Sequence, residues 1–132
     1  SDANYGIVVY NTIAGWFYVE CENGQKLDAA LWKRENGHKL LIVTLTYENS
    51  SCSSQVCMAY DYDPATRTLT PDLAVHKRLT QLEGTLCDLP RKGKNIGVRN
   101  IGNDTMRFYY LKWNGNGFSA PVKVATNTYQ RP

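Results

Sequence analysis

Hydrophobic and polar residues alternate along most of the chain, the two-residue period of strands with one buried face. Short β-branched and aromatic runs are separated by Asn, Gly, Asp and Pro clusters that punctuate strands. Ile7–Asn11 is a first run and Trp16–Cys21, entered through Gly15, a second. Asn23-Gly24 and Asn36-Gly37 supply the left-handed backbone of tight hairpins on either side of Leu27–Arg34. Lys39–Tyr47 is the clearest strand, with Leu41, Val43, Leu45 and Tyr47 on one face and Leu40, Ile42, Thr44 and Thr46 on the other. Both faces are partly apolar, which suits a sheet packed on both sides.

Val56–Tyr62 reads as the next strand, with Met58, Tyr60 and Tyr62 opposite Ala59, Asp61 and Asp63. Asp63-Pro64-Ala65-Thr66 then forms a turn, in which Pro64 presets φ and Asp63 accepts from backbone N–H groups. Arg67–Thr70 returns as a short strand. Within residues 72–83, Val75, Leu79 and Leu82 fall at helical spacing, and Asp72 is a fitting N-cap. An irregular crossover is the competing reading, and Gly84 ends the segment in both. Asn95–Ile101 and Met106–Trp113 pair across Gly102-Asn103-Asp104, and a turn at Asn114–Gly117 leads to Phe118. The pattern predicts one all-β domain over residues 1–132. Its antiparallel meander hairpins pack as a sandwich or as blade-like sheets, with one short helix near 72–83.

Composition narrows the class. The chain has 132 residues, 42% of them hydrophobic and 20% charged, which fits one folded domain rather than a disordered segment. No apolar run approaches the ~18 residues of a membrane span. A net charge of +3 is too mild to imply nucleic acid. A start at Ser1 without Met points to a processed or trimmed chain, its first few residues reading as an expression remnant. Asn49-Ser50-Ser51 and Asn103-Asp104-Thr105 match the glycosylation sequon.

Four cysteines form no CxxC pair, which disfavours a zinc site, while their even number suits disulfides. Cys52 and Cys57 flank Ser53, Ser54, Gln55 and Val56, read as a short polar loop between two strands, where a disulfide would staple a hairpin. Cys21 and Cys87 then pair by elimination. Disulfides imply an oxidising compartment, hence a periplasmic or extracellular mature chain without its signal peptide; free thiols in the cytosol are the alternative.

Catalytic constellations are sparse. His38 reads as a solvated strand-end residue, and His76 lies in the helical segment. No nucleophile elbow, phosphate loop or HExxH motif is present. Asp61 and Asp63, with Asp72 nearby, invite a glycosidase or calcium reading, but Asp63 belongs to its turn and Asp61 reads as solvent-facing. Arg91, Lys92 and Lys94, with Lys77, Arg78 and Arg99, form a basic set that reads as solvated turn and surface positions rather than a nucleic-acid site. The aromatics are the suggestive class: Trp16, Trp32, Tyr60, Tyr62, Tyr109 and Trp113 are the candidate binding residues, either as core pairs or as an exposed platform. No cofactor or metal is expected.

Tyr60-Asp61-Tyr62-Asp63-Pro64-Ala65-Thr66-Arg67-Thr68-Leu69-Thr70 resembles the outer hairpin of a β-propeller blade, and Tyr109–Phe118 is similar in kind, as though the two were degenerate copies. The length excludes a closed ring of ~4–8 blades. With Leu89-Pro90-Arg91-Lys92-Gly93-Lys94, the second half of the chain also resembles small exported proteins of unknown function from gut Bacteroidetes. That resemblance rests on turn chemistry and carries no catalytic residues. The function expected is a non-catalytic exported binding or interaction module, its partner a glycan or an envelope protein. The alternatives are a polysaccharide or peptidoglycan hydrolase using the strand carboxylates, and a structural piece of a larger β assembly.

Overall fold

The computed structural model describes residues 5–21, 23–48, 52–102 and 105–132. Both sequons fall wholly or partly outside them. β1 (Tyr5–Asn11), β2 (Trp16–Cys21), β3 (Gln25–Lys33), β4 (Lys39–Glu48), β5 (Ser53–Asp63) and β6 (Thr68–Pro71) form a 6-stranded sheet in chain order. β7 (Thr85–Asp88), β8 (Ile96–Gly102), β9 (Thr105–Leu111) and β10 (Val122–Val124) form a 4-stranded sheet, also in chain order. Every pairing is antiparallel. The all-β sandwich expected from the alternation is therefore the fold, joined by one helix, α1 (Leu73–Thr80).

Local chemistry explains the elements. Gly24 and Gly37 sit at φ +84° and +86°, the backbone region that the Asn-Gly turns require. The Asp72 carboxylate accepts from the Val75 N–H at 3.0 Å, capping α1, and Val75 and Leu79 bury the apolar stripe. β5 starts at Ser53, earlier than the apolar pattern shows, because Ser53, Ser54 and Gln55 are polar yet fully laddered to β4. β7 and β10 are too short to declare a period.

Antiparallel partners share a face, so register sorts the side chains. The inner face of the large sheet carries Ala30, Trp32, Leu40, Ile42, Cys57 and Ala59. These meet Cys87, Leu89, Ile96, Val98 and Leu111 of the small sheet and its flanks, with Val75 and Leu79 from α1. Leu40, Ile42 and Ile96 are wholly buried, each contributing about 1.5–3 kcal/mol. Gln55 closes the sandwich at one edge. Its amide accepts from the Cys87 N–H at 2.8 Å and donates to the Cys87 carbonyl at 3.0 Å, so one side chain acts as a strand for the β7 edge.

The outer face of the small sheet is covered by the chain itself. Tyr129 stacks on Phe108 and Tyr110, with ring centroids 4.6 and 5.3 Å apart. Its hydroxyl donates to Asp88 at 2.6 Å. Arg99 donates to both Asp88 oxygens at 3.0 and 2.9 Å, and Arg131 donates at 2.9 Å. Gly97 makes this possible: a Cβ there would lie 2.0 Å from the Tyr129 hydroxyl.

Candidate functional site

Among the described residues, nothing covers the outer face of the large sheet in this way. Register places Phe17 and Val19 of β2 beside Leu27, Ala29 and Leu31 of β3. Leu41, Val43, Leu45 and Tyr47 of β4 come next, then Val56, Met58, Tyr60 and Tyr62 of β5. Tyr10 of β1 and Leu69 of β6 extend the surface at its two edges. From β2 to β6 the charged outer positions are Lys33 and Lys39, both at one end. Eight large side chains on this face keep 36–66% of their surface open. The outer row of β4 is the more apolar of its two: Leu41, Val43 and Leu45 face outward, while Leu40, Ile42, Thr44 and Thr46 face inward. The Thr44 hydroxyl is buried and meets no hydrogen-bond partner among the described residues.

The six candidate aromatics divide between the two faces. Trp32 is core, edge-on to Phe118 at 5.4 Å and tilted on Trp113 at 6.1 Å, and its indole N–H donates to the Lys94 carbonyl at 2.9 Å. Trp16, Tyr109 and Trp113 pack half-buried against that core. Arg91 lies 4.3 Å over the Trp16 ring. Only Tyr60 and Tyr62 reach the outer face. They join Tyr10, Phe17 and Tyr47, which alternation alone had no means of assigning to a side.

The cysteines require a correction. None of the four forms a disulfide. The segment after Cys52 is strand β5, not a polar loop, so Cys52 and Cys57 are held roughly 17 Å apart by extended backbone, far beyond disulfide reach. Cys57 instead donates to the Gln55 side-chain oxygen at 3.3 Å and Cys87 to the Leu79 carbonyl at 3.7 Å, and Cys87 is not bonded to Cys21. The neighbouring Cys57 thiol, burial and the Asp88 charge hold the Cys87 thiol well above its ordinary range. The expected export loses the disulfides as its support.

His38 and Asp61 also differ from expectation. His38 Nδ1 lies 2.7 Å from Asp61, and Arg34 bonds both Asp61 and Asp72 at 2.5 Å and the Asn116 carbonyl at 2.9 Å. Burial pushes the Asp61 carboxyl up, but the bonds from His38 and Arg34 outweigh it and leave it below the usual carboxylate value. Asp61 is thus a held counter-ion rather than a free surface acid. Asp63 accepts from the Ala65 N–H at 3.0 Å, as its turn predicts. Among the described residues no three His, Cys, Asp or Glu side chains gather to hold a metal ion, and no helix is long and apolar enough to cross a membrane. No protein-family model, curated protein or solved structure matches the chain.

Proposed function

We propose that this domain is a non-catalytic interaction module that assembles through the outer face of its large sheet, with a second copy of the chain as occupant. The observation that carries the reading is the wholly apolar outer row of β4, Leu41, Val43, Leu45 and Tyr47, while the inner row shares its places between Leu40, Ile42 and two threonines. A face meant for water would not be built this way, and contiguous apolar patches of this size mark interaction surfaces. The eight open side chains, at the ~150–250 Å² a large ring buries, offer roughly 700–800 Å², one partner's share of a standard interface of ~1,600 Å².

A second copy fits for two physical reasons. Two sheets pack face to face when their twists match, and identical sheets match by construction. The face is also neutral over its centre, so self-association brings no like charges together; an antiparallel arrangement keeps the lysine ends apart. The strand carboxylate that a hydrolase would need is committed to Arg34 and His38, which favours a binding role over an acid–base one.

Sedimentation velocity from about 1 µM to 1 mM tests the reading, a range that brackets ordinary dimer affinities. The expected result is a concentration-dependent dimer that Val56→Glu and Leu31→Glu each convert to monomer, with an unfolding midpoint equal to that of wild type at concentrations where wild type is itself monomeric. A wild-type monomer throughout, or dimers indifferent to both substitutions, would overturn it. A clean monomer that co-sediments with an added glycan would restore the glycan-binding alternative.

A further inference from the structure

Beside this face, where β3 runs past the end of β2, lies a cleft of about 350 Å³. Four cations line it: Lys33, Lys39, Arg91 and Lys94, and no carboxylate side chain does. We propose that it binds a tetrahedral oxyanion, a phosphate or sulfate group, free or carried as a monoester.

The Leu31 N–H donates to the Gly15 carbonyl on β2's side, and the Arg34 N–H donates to the His38 carbonyl on β4's side. Backbone groups alternate sides along a strand. Lys33 therefore points its N–H the same way as Leu31, two residues on, where β2 has ended and the cleft begins. The same phase makes Lys33 and Lys39, which are direct partners, a non-hydrogen-bonded pair. Side chains approach most closely in such pairs, and like charges directly opposite are destabilising. Neither lysine has a carboxylate partner among the described residues. The sheet thus carries an unrelieved repulsion that a bound anion would remove.

The opposite wall is rigid. The Trp32 indole holds the Lys94 carbonyl. The Arg91 guanidinium lies over Trp16, is bonded through one nitrogen to Asp28 at 3.0 Å, and lines the cleft. Lys33 and Lys39 line the cleft from the large sheet, and Arg91 and Lys94 line it from the segment after β7. A tetrahedral oxyanion offers three or four oxygens to such a set of donors, a carboxylate two.

The test is amide NMR on the full chain with inorganic phosphate, and separately with glucose 6-phosphate, at fixed ionic strength. Saturable shifts centred on the Lys33 amide are expected. In Lys33→Gln/Lys39→Gln they weaken by roughly tenfold in affinity, while Lys77→Gln, on α1, leaves them unchanged. Tighter binding of the sugar phosphate than of phosphate identifies a monoester ligand, and equal binding identifies the free ion; both support the site. The double variant is also expected to melt no lower than wild type without phosphate, since it loses a repulsion. A Lys33 amide that does not move, shifts that survive in the double variant, or equal loss in Lys77→Gln would each overturn the proposal.

Discussion

Asp88 is the most consequential single side chain to remove. Its carboxylate is 2% exposed and receives bonds from Arg99, Arg131 and Tyr129. Asp88→Ala leaves Arg99, itself only 19% exposed, facing a dry gap without its counter-charge. Breaking a buried ion pair in this way costs about 3–5 kcal/mol. Arg99 keeps some access to water, which places the expectation near 3 kcal/mol, and Tyr129 loses the acceptor that draws the tail over Gly97. Arg131, by contrast, is 68% exposed, so Arg131→Ala should cost no more than ~1 kcal/mol. Asp88→Asn keeps the shape and one acceptor but sets an amide N–H₂ against arginine donors, so an intermediate loss of about 2 kcal/mol is expected. Urea unfolding followed by tryptophan fluorescence measures all three, with Trp32 and Trp113 in or against the core as reporters. The order Ala, Asn, then Arg131→Ala supports the reasoning. If Asp88→Ala costs under about 1 kcal/mol, or no more than Arg131→Ala, the carboxylate is not what anchors the tail, and the argument from burial fails.

Thr44→Val should stabilise the fold by roughly 1 kcal/mol, because it removes a buried hydroxyl without a partner while keeping the side-chain shape; thermal unfolding reads the gain. Gly97→Ala should displace Tyr129 from Asp88, visible as loss of the ring-stacking shifts of Phe108 and Tyr110 in NMR spectra, at a stability cost of about 1–3 kcal/mol. Acid should weaken the brace at Arg34. The Asp61 carboxyl is lowered in the fold, so its contribution is present above the unfolded value of 3.8 and is lost as pH falls through the folded one. The drop in stability below about pH 4 should therefore be shallower in Asp61→Asn than in wild type. Asp28 behaves oppositely: burial raises its carboxyl despite Arg91. Keeping it ionised at neutral pH thus opposes folding, and Asp28→Asn should unfold at no lower urea concentration than wild type at pH 7.

The strands and turns were legible because they are local. Alternation places β2, β3 and β4 within a residue or two, and the Asn-Gly pairs mark their hairpins. Asp72, Val75 and Leu79 announce α1. What stayed hidden depends on partners far along the chain. Arg34 meets Asp61 and Asp72 from 27 and 38 positions away, and Asp88 meets Tyr129 and Arg131 from 41 and 43. No periodicity encodes such encounters. The side that faces inward was equally out of reach. β4 is apolar on both faces, and the more apolar face proved to be the open one, so a rule that buries the greasier side would have inverted the sandwich. The cysteine pairing failed for a related reason. Ser53, Ser54 and Gln55 look like a loop, but Gln55 is polar because it must bond the backbone of Cys87.

The two sheets are built wholly from nearest neighbours in the chain, and this has a consequence for how the molecule comes into being. Each strand of the large sheet finds its partner within a hairpin, so contact order within a sheet is low and pairing can follow synthesis from β1 to β6. The contacts that hold sheet to sheet are the late ones: Gln55 to Cys87, Trp32 to Lys94 and Arg34 to Asn116 span 32, 62 and 82 positions. Chain closure over such distances is what slows folding. Until β7 and β8 arrive, the emerging large sheet has both its apolar faces bare, and the nascent chain passes through an interval in which it is more adhesive than the finished protein.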